Sequence, residues 1–233
     1  MIESVTLANT LYRGCYVLGF VVTFIFNAVY ARRYGIKAGK AFAFSLLSYA
    51  LIFGWSYVLA WVANGFTWGH HNAIRVYIWF PAVLFATSKL FRLDFKDCCE
   101  FVTPSTCIVY GIARIGCCFA GCCHGIPMER GMYSYIAGYR CFPVQLCEGL
   151  TSLAIAGYMV FLARKKNYDS RENTLYPTML VLYGGTRFIW EFFADNKKVF
   201  FHVSELALWA LATCLLGCVW LFLHGRKKAA AEG

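Results

Sequence analysis

Residues Gly111 to Gly125 read GIARIGCCFAGCCHG, which sets one arginine, four cysteines and a histidine at the end of a long apolar segment. No acidic residue stands three or four positions from Arg114; Tyr110, Gly111, Cys117 and Cys118 occupy those places. A guanidinium within a hydrocarbon-spanning segment costs about 2.5–3.5 kcal/mol on insertion scales, so Arg114 is expected to face a polar cavity or an anion rather than lipid. Further on, Tyr183, Arg187 and Glu191 recur at i, i+4 and i+8, on one face of a helix. Two chemistries fit this pair of arginines. In the first, Glu191 neutralises Arg187 and an acid from another helix, Glu148 foremost, neutralises Arg114. In the second, the two guanidiniums grip a phosphate, an anion they bind bidentately. Two intramembrane arginines on neighbouring spans favour an anionic lipid head group drawn between them.

Cys117, Cys118, Cys122 and Cys123 are candidates for thiol or redox chemistry. Their CCxxxCC spacing differs from the paired CxxC of zinc knuckles, so no metal is expected. A disulfide from Cys122 or Cys123 to Cys141 or Cys147 is expected instead, because these residues fall on the side of an oxidising compartment. Cys15, Cys107, Cys214 and Cys218 read as small packing residues, and Cys98 and Cys99 as reduced thiols on the inner side. Beside the cluster, His124 could act as a base. His70 and His71 read as loop residues and His202 as interfacial.

What must position these groups is a bundle in a bilayer. The chain is 60% hydrophobic and 18% aromatic over 233 residues, against about 45–50% apolar residues in soluble domains. Its net charge of +10 comes from short clusters between apolar runs, which marks topology rather than nucleic-acid binding. Apolar windows predict an all-α polytopic membrane protein with one integral domain over 1–233. Its seven spans are placed at about 11–30, 41–63, 73–91, 101–122, 144–163, 174–194 and 202–223. Arg75 and Pro81 interrupt the third. No cleaved signal peptide is expected, since no basic segment precedes the first run. Arg32, Arg33, Lys37 and Lys40, then Lys89, Arg92 and Lys96, then Arg164, Lys165, Lys166 and Arg171, and finally Arg226, Lys227 and Lys228 fall on one side of this arrangement. That side is therefore cytoplasmic, with the N-terminus outside and the C-terminus inside. The unusual polar residues then gather on the outer half, which predicts a site open to the outer leaflet.

Three ordered motifs carry a resemblance. ARIGCCFAG resembles the signature segment of the prolipoprotein diacylglyceryl transferase family, with Arg114, Gly116, Phe119 and Gly121 in matching places. RCFPVQLCE, from Arg140 to Glu148, resembles its Arg-His-Pro-Ser-Gln-Leu-Tyr-Glu segment, and YGGTRFIWEFF, from Tyr183 to Phe193, its Tyr-Gly-x-x-Arg-Phe-x-x-Glu-Phe. The resemblance implies seven spans in a bacterial plasma membrane and needs no cofactor. It implies transfer of a diacylglyceryl group from phosphatidylglycerol to the thiol of a lipoprotein precursor, with release of glycerol phosphate. Arg114, Arg187, Glu191 and His124 are then the catalytic candidates, and Gln145, Glu148, Tyr183, Gly116, Gly121 and Arg140 bind the substrate. Two departures stand out. Cysteines replace the signature asparagines and glutamate, and VYIWFPAVLF lacks the histidine and paired glycines of the family's third span. The lipid-gripping half is thus kept and the acceptor half changed, which leaves another acceptor open. A lipid-binding or lipid-moving protein without catalysis and a thiol-disulfide redox protein are the alternatives.

Overall fold

The computed structural model describes residues 5–63, 76–165, 168, 172–200 and 203–232. His70, His71, Arg75, Lys166, Arg171 and His202 lie outside the described residues. Seven α-helices are seen: α1 Val5–Tyr30, α2 Ala38–Ala63, α3 Val76–Phe91, α4 Phe95–Ala120, α5 Val144–Ala163, α6 Leu175–Glu191 and α7 Glu205–Glu232, with a 3₁₀ turn at Ala31–Tyr34 after α1. Two short hairpins complete the described residues, β1 Pro127–Ser134 with β2 Tyr139–Cys141, and β3 Lys198–Phe200 with β4 Val203–Ser204.

Helix α4 is the axis. Its most apolar stretch is 67% buried, against 22% for α1 and α7, and α1, α3, α5 and α6 all pack on it. Asp94 starts it by accepting hydrogen bonds from the Lys96 and Asp97 amides at 2.8 and 3.3 Å, an N-cap that satisfies orphan donors. Gly121 ends it at φ 70°, where its amide meets the Cys118 carbonyl, a left-handed stop that glycine adopts without steric cost. Pro104 stands inside the helix. Around it the Thr103, Ser105 and Thr106 hydroxyls bond the Cys99 and Val102 carbonyls one turn back.

Among the described residues, five helices are long and apolar enough to cross a bilayer. Their outward faces expose leucine, valine, phenylalanine and tryptophan along α1, α2, α5 and α7, an apolar surface far beyond what water tolerates. The chain is therefore a multi-pass α-helical membrane protein. Polar side chains join the helices inside: Asn27 to Ser45 at 3.0 Å, Ser48 to Thr87 at 2.9 Å and Ser152 to the Cys107 carbonyl at 3.0 Å.

Small residues bring α4 and α5 together at the level of the charged groups. A methyl group built on Gly149 would stand 2.9 Å from the Gly111 carbonyl, and one on Gly111 would stand 2.9 Å from the Gly149 carbonyl. Backbone blocks both, so neither position has room to relax. Gly149→Val is expected to push α5 away from α4 at a cost of about 1–3 kcal/mol, read as a lower Tm in detergent, with a loss of activity because Glu148 moves with the backbone.

The elements differ from expectation in places. Helix α4 begins at Phe95 rather than 101, so Cys98, Cys99 and Glu100 lie inside it and are buried, because the Asp94 cap draws the helix back through charged residues. The connection from Gly125 to Pro143 holds a β-hairpin. Helix α7 starts at Glu205 and runs to Glu232, through the basic cluster rather than ending before it.

Candidate functional site

Both arginines converge on one carboxylate. Glu148, on the first turns of α5, accepts from Arg114 of α4 through Oε2 and from Arg187 of α6 through Oε1. Arg187 also pairs with Glu191 at 2.8 Å, one turn on. Glu191 accepts in turn from Asn196 and, at 2.8 Å, from Ser204 just before α7. A chain of alternating charge thus links three helices, Arg114–Glu148–Arg187–Glu191. Its side chains are 12, 2, 7 and 1% exposed in that order. Burial makes the pairing obligatory, since an unpartnered ion in such a place costs several kcal/mol. The four charges sum to zero.

Tyrosines frame the ion pairs. Tyr110, one turn before Arg114, directs its hydroxyl to Glu148 Oε2 at 3.4 Å, and the Arg114 guanidinium lies 5.5 Å from its ring centre. Tyr183 packs edge-on against Tyr110 at 5.1 Å. Beside them is a recess of about 10 Å³ whose walls include Tyr110, Glu148, Tyr183, Thr186, Arg187 and Trp190, room for roughly one water.

The outer segments are stitched above this centre. The Ile126 amide bonds the Phe193 carbonyl, the Phe142 amide the Ile126 carbonyl, and the Asp195 amide the His124 carbonyl. These bonds tie the ends of α4 and α6 and the start of α5 together at Gly125. A side chain there would strike the Phe142 carbonyl at 2.4 Å, so the convergence depends on glycine.

The remaining candidates are placed around this centre. Gln145 is buried and donates to the Cys122 carbonyl at 2.6 Å, fixing the thiol segment to α5. Gly116 lies against Cys15 and the Tyr12 carbonyl of α1, and Gly121 caps α4; both shape backbone. Arg140 is exposed on β2 and donates to the Gly131 carbonyl across the hairpin at 3.1 Å. His124 Nδ1 is 3.5 Å from the Tyr139 hydroxyl and 3.8 Å from Asp195, and that hydroxyl donates to Asp195 at 2.7 Å.

All twelve cysteines are free, which corrects the expected disulfide. Cys118 Sγ meets the thioether of Met132 at 3.6 Å, and Cys141 Sγ donates to the Met132 carbonyl at 3.5 Å. The hairpin thus occupies both thiols at contact distance, whereas a disulfide needs sulfurs about 2.05 Å apart. Cys122 turns back to the Cys117 carbonyl at 3.7 Å.

Three groups of residues escaped the sequence. Tyr110 was visible at the position one turn from Arg114, but its bond to Glu148 depends on how α4 and α5 are rotated. Asn196 and Ser204 reach Glu191 from a loop and a hairpin without a motif. At the inner end, Glu100 is wholly buried and accepts from the Tyr168 hydroxyl and, at 3.4 Å, from the Leu175 amide that opens α6. A carboxylate at a helix N-terminus is favoured by its dipole.

Comparison with known proteins agrees with the three motifs. The prolipoprotein diacylglyceryl transferase family model matches residues 3–223. A phosphatidylglycerol–prolipoprotein diacylglyceryl transferase of Leptospira interrogans is 32% identical over 129 residues, 51% of this chain and 40% of the relative. One of Clostridium tetani is 25% identical over 134 residues, 54% of this chain and 49% of the relative. Another of Clostridium perfringens is 22% identical over 140 residues, 55% of this chain and 54% of the relative. The chain therefore spans about half the length of the curated relatives it matches. With the matched residues running from the start of α1 into α7, this chain belongs to the prolipoprotein diacylglyceryl transferase family.

Proposed function

We propose that the chain is a membrane transferase. It moves a diacylglyceryl group from an anionic phospholipid, phosphatidylglycerol by the names of its relatives, to an acceptor at the outer leaflet of a bacterial plasma membrane. The acceptor is a lipoprotein-precursor thiol or another nucleophile. The observation that carries this reading is the convergence of Arg114 and Arg187 on Glu148 from separate helices. Two guanidiniums brought to one point from separate helices supply the several cationic donors that a departing phosphate needs.

In this reading the seven helices are seven spans of a single domain over 1–233, with the N-terminus outside and the C-terminus in the cytoplasm. The basic clusters at Arg32, Arg92, Arg164 and Arg226 support that orientation. Glu148 and Glu191 hold the guanidiniums in register. Arg187 meets both carboxylates through Nη1, and a guanidinium carries five N–H donors, so others remain for phosphate oxygens. The bond from the glycerol carbon to the phosphate oxygen breaks, and negative charge grows on the leaving glycerol phosphate. Preplaced cationic donors in a low-dielectric pocket stabilise that charge, the largest contribution in many such reactions. Tyr110 and Tyr183 keep the guanidiniums in place, and Gln145 orients the head group beside the Cys122 carbonyl. His124, held by Tyr139 and Asp195, takes the proton of the incoming nucleophile. Gly116 and Gly121 set the backbone around Arg114, and Arg140 steers the anionic head group from the hairpin.

The acceptor is the open half of the reaction. Vesicles of phosphatidylglycerol containing the purified chain are offered either a peptide with a lipoprotein signal cysteine or a cell extract, and the acceptor masses are compared. Gain of one diacylglyceryl group by the peptide identifies the thiol acceptor; gain only in the extract names another; gain in neither removes the transferase reading.

A further inference from the structure

Glu191 divides its two oxygens. Oε2 stands 2.8 Å from Arg187 Nη1, one turn back on α6, whereas Oε1 accepts from Asn196 Nδ2 in the connection after the helix and, at 2.8 Å, from the Ser204 hydroxyl. Ser204 is 2% exposed. Its oxygen also accepts from the Ala207 amide at 3.1 Å, an N-cap of α7 that leaves the hydroxyl's one hydrogen for Glu191. A carboxylate oxygen offers about two lone-pair sites, so Oε1 is full. The outer segment between α6 and α7 thus fills the oxygen that an arginine one turn away would otherwise take.

We propose that Asn196 and Ser204 are positioning residues: they hold Glu191 to a single-point contact with Arg187 and so keep the rest of the guanidinium fork for the phosphate of the lipid. The inference rests on the transferase reading and adds two residues to the same site. A carboxylate with both oxygens open meets a guanidinium through two parallel bonds, one N–H to each oxygen. With Oε1 occupied, Glu191 cannot close that fork. Glu148 is divided in the same way, Oε2 to Arg114 and Oε1 to Arg187, and both carboxylates reach Arg187 through Nη1. Two acids therefore neutralise Arg187 at one nitrogen, which leaves Nε and Nη2 for an anion.

Loss of both donors opens Oε1. The carboxylate then turns to close the two-bond fork on Arg187, a stronger ion pair that takes up N–H groups otherwise free for phosphate. Stability and function therefore move apart: the fold keeps its buried ion pair while the lipid loses part of its grip. Residues that only brace the fold would lower both together. Ser204→Gly keeps the start of α7 out of the comparison, because glycine at an N-cap costs far less than alanine.

The test compares the unmodified chain with Asn196→Ala and with Asn196→Ala/Ser204→Gly, in vesicles of varied phosphatidylglycerol content with the acceptor peptide or extract. It follows glycerol phosphate release, the Tm, and the rise in Tm given by millimolar glycerol phosphate. The expected result is a kcat/KM for the lipid lower by about tenfold in the double variant, roughly what one hydrogen bond to a charged group supplies, with a smaller loss in Asn196→Ala. Both variants should show a weaker Tm response to glycerol phosphate and an unliganded Tm close to that of the unmodified chain. Asn196→Ala decides if the double variant folds poorly. Full kcat/KM and an undiminished anion response in Asn196→Ala overturn the proposal and leave the transferase reading standing, as does a Tm that falls in step with its activity. No release from the unmodified chain overturns both readings.

Discussion

Arg187→Ala is expected to reduce the rate of glycerol phosphate release by about 10²–10³, the cost of removing one preplaced donor from a developing anion. The change also leaves Glu191 without a counter-charge and Glu148 with Arg114 alone, at side chains 1 and 2% exposed, so part of the loss will be structural. Arg187→Lys separates the two. A lysine restores the positive charge between the carboxylates and should return most of the thermal stability. It lacks the planar fork that binds phosphate oxygens in pairs, so the rate should stay low. If Arg187→Lys instead recovers full activity, the guanidinium is only a counter-charge and the phosphate grip is wrong.

Glu148→Gln should have the largest effect on stability. It keeps the shape of the side chain but leaves Arg114 and Arg187 facing each other without the charge that joins them. Breaking a buried pair in this way costs about 3–5 kcal/mol, which for a chain of this length corresponds to a fall in Tm of roughly 10 °C. The distinguishing signature lies in the response to anions. With the carboxylate neutralised, millimolar glycerol phosphate should raise the Tm of Glu148→Gln more than that of the unmodified chain, because an anion then takes over the role of Glu148. Equal shifts in both would show that the paired arginines do not form an anion site.

These two predictions rest on contacts the sequence expressed only in part. The three motifs named Arg114, Glu148, Arg187 and Glu191, because intramembrane charges are rare enough to be read individually. Glu148 is also the foremost partner that the sequence offers Arg114. That it would join both arginines at once was not legible, since it depends on the rotation of α5 and on the Gly111–Gly149 approach. Helix α5 was legible to the residue because Pro143 precedes it and Arg164 ends its apolar run. Helix α4 was placed too late: the acidic and basic residues from Asp94 to Glu100 look like a connection until the Asp94 cap and the burial of Glu100 are seen. The Pro127–Cys141 hairpin was missed because charged Glu129 and Arg130 and flexible Gly131 interrupt its alternation. The cysteines misled most. Proximity to an oxidising compartment suggested pairing, but the thiols are free, with Cys118 and Cys141 turned to Met132 and Cys122 to the Cys117 carbonyl.

Both predictions turn on the two guanidiniums that meet at Glu148. The more general claim is that the convergent arginines expel a phosphate from the phospholipid. The most direct test is the amount of glycerol phosphate released from phosphatidylglycerol vesicles, set against the diacylglyceryl groups gained by all acceptors present. The account predicts release well above that of vesicles alone, at one glycerol phosphate per diacylglyceryl group transferred. Transfer without glycerol phosphate, or no release above the vesicle background, would contradict it.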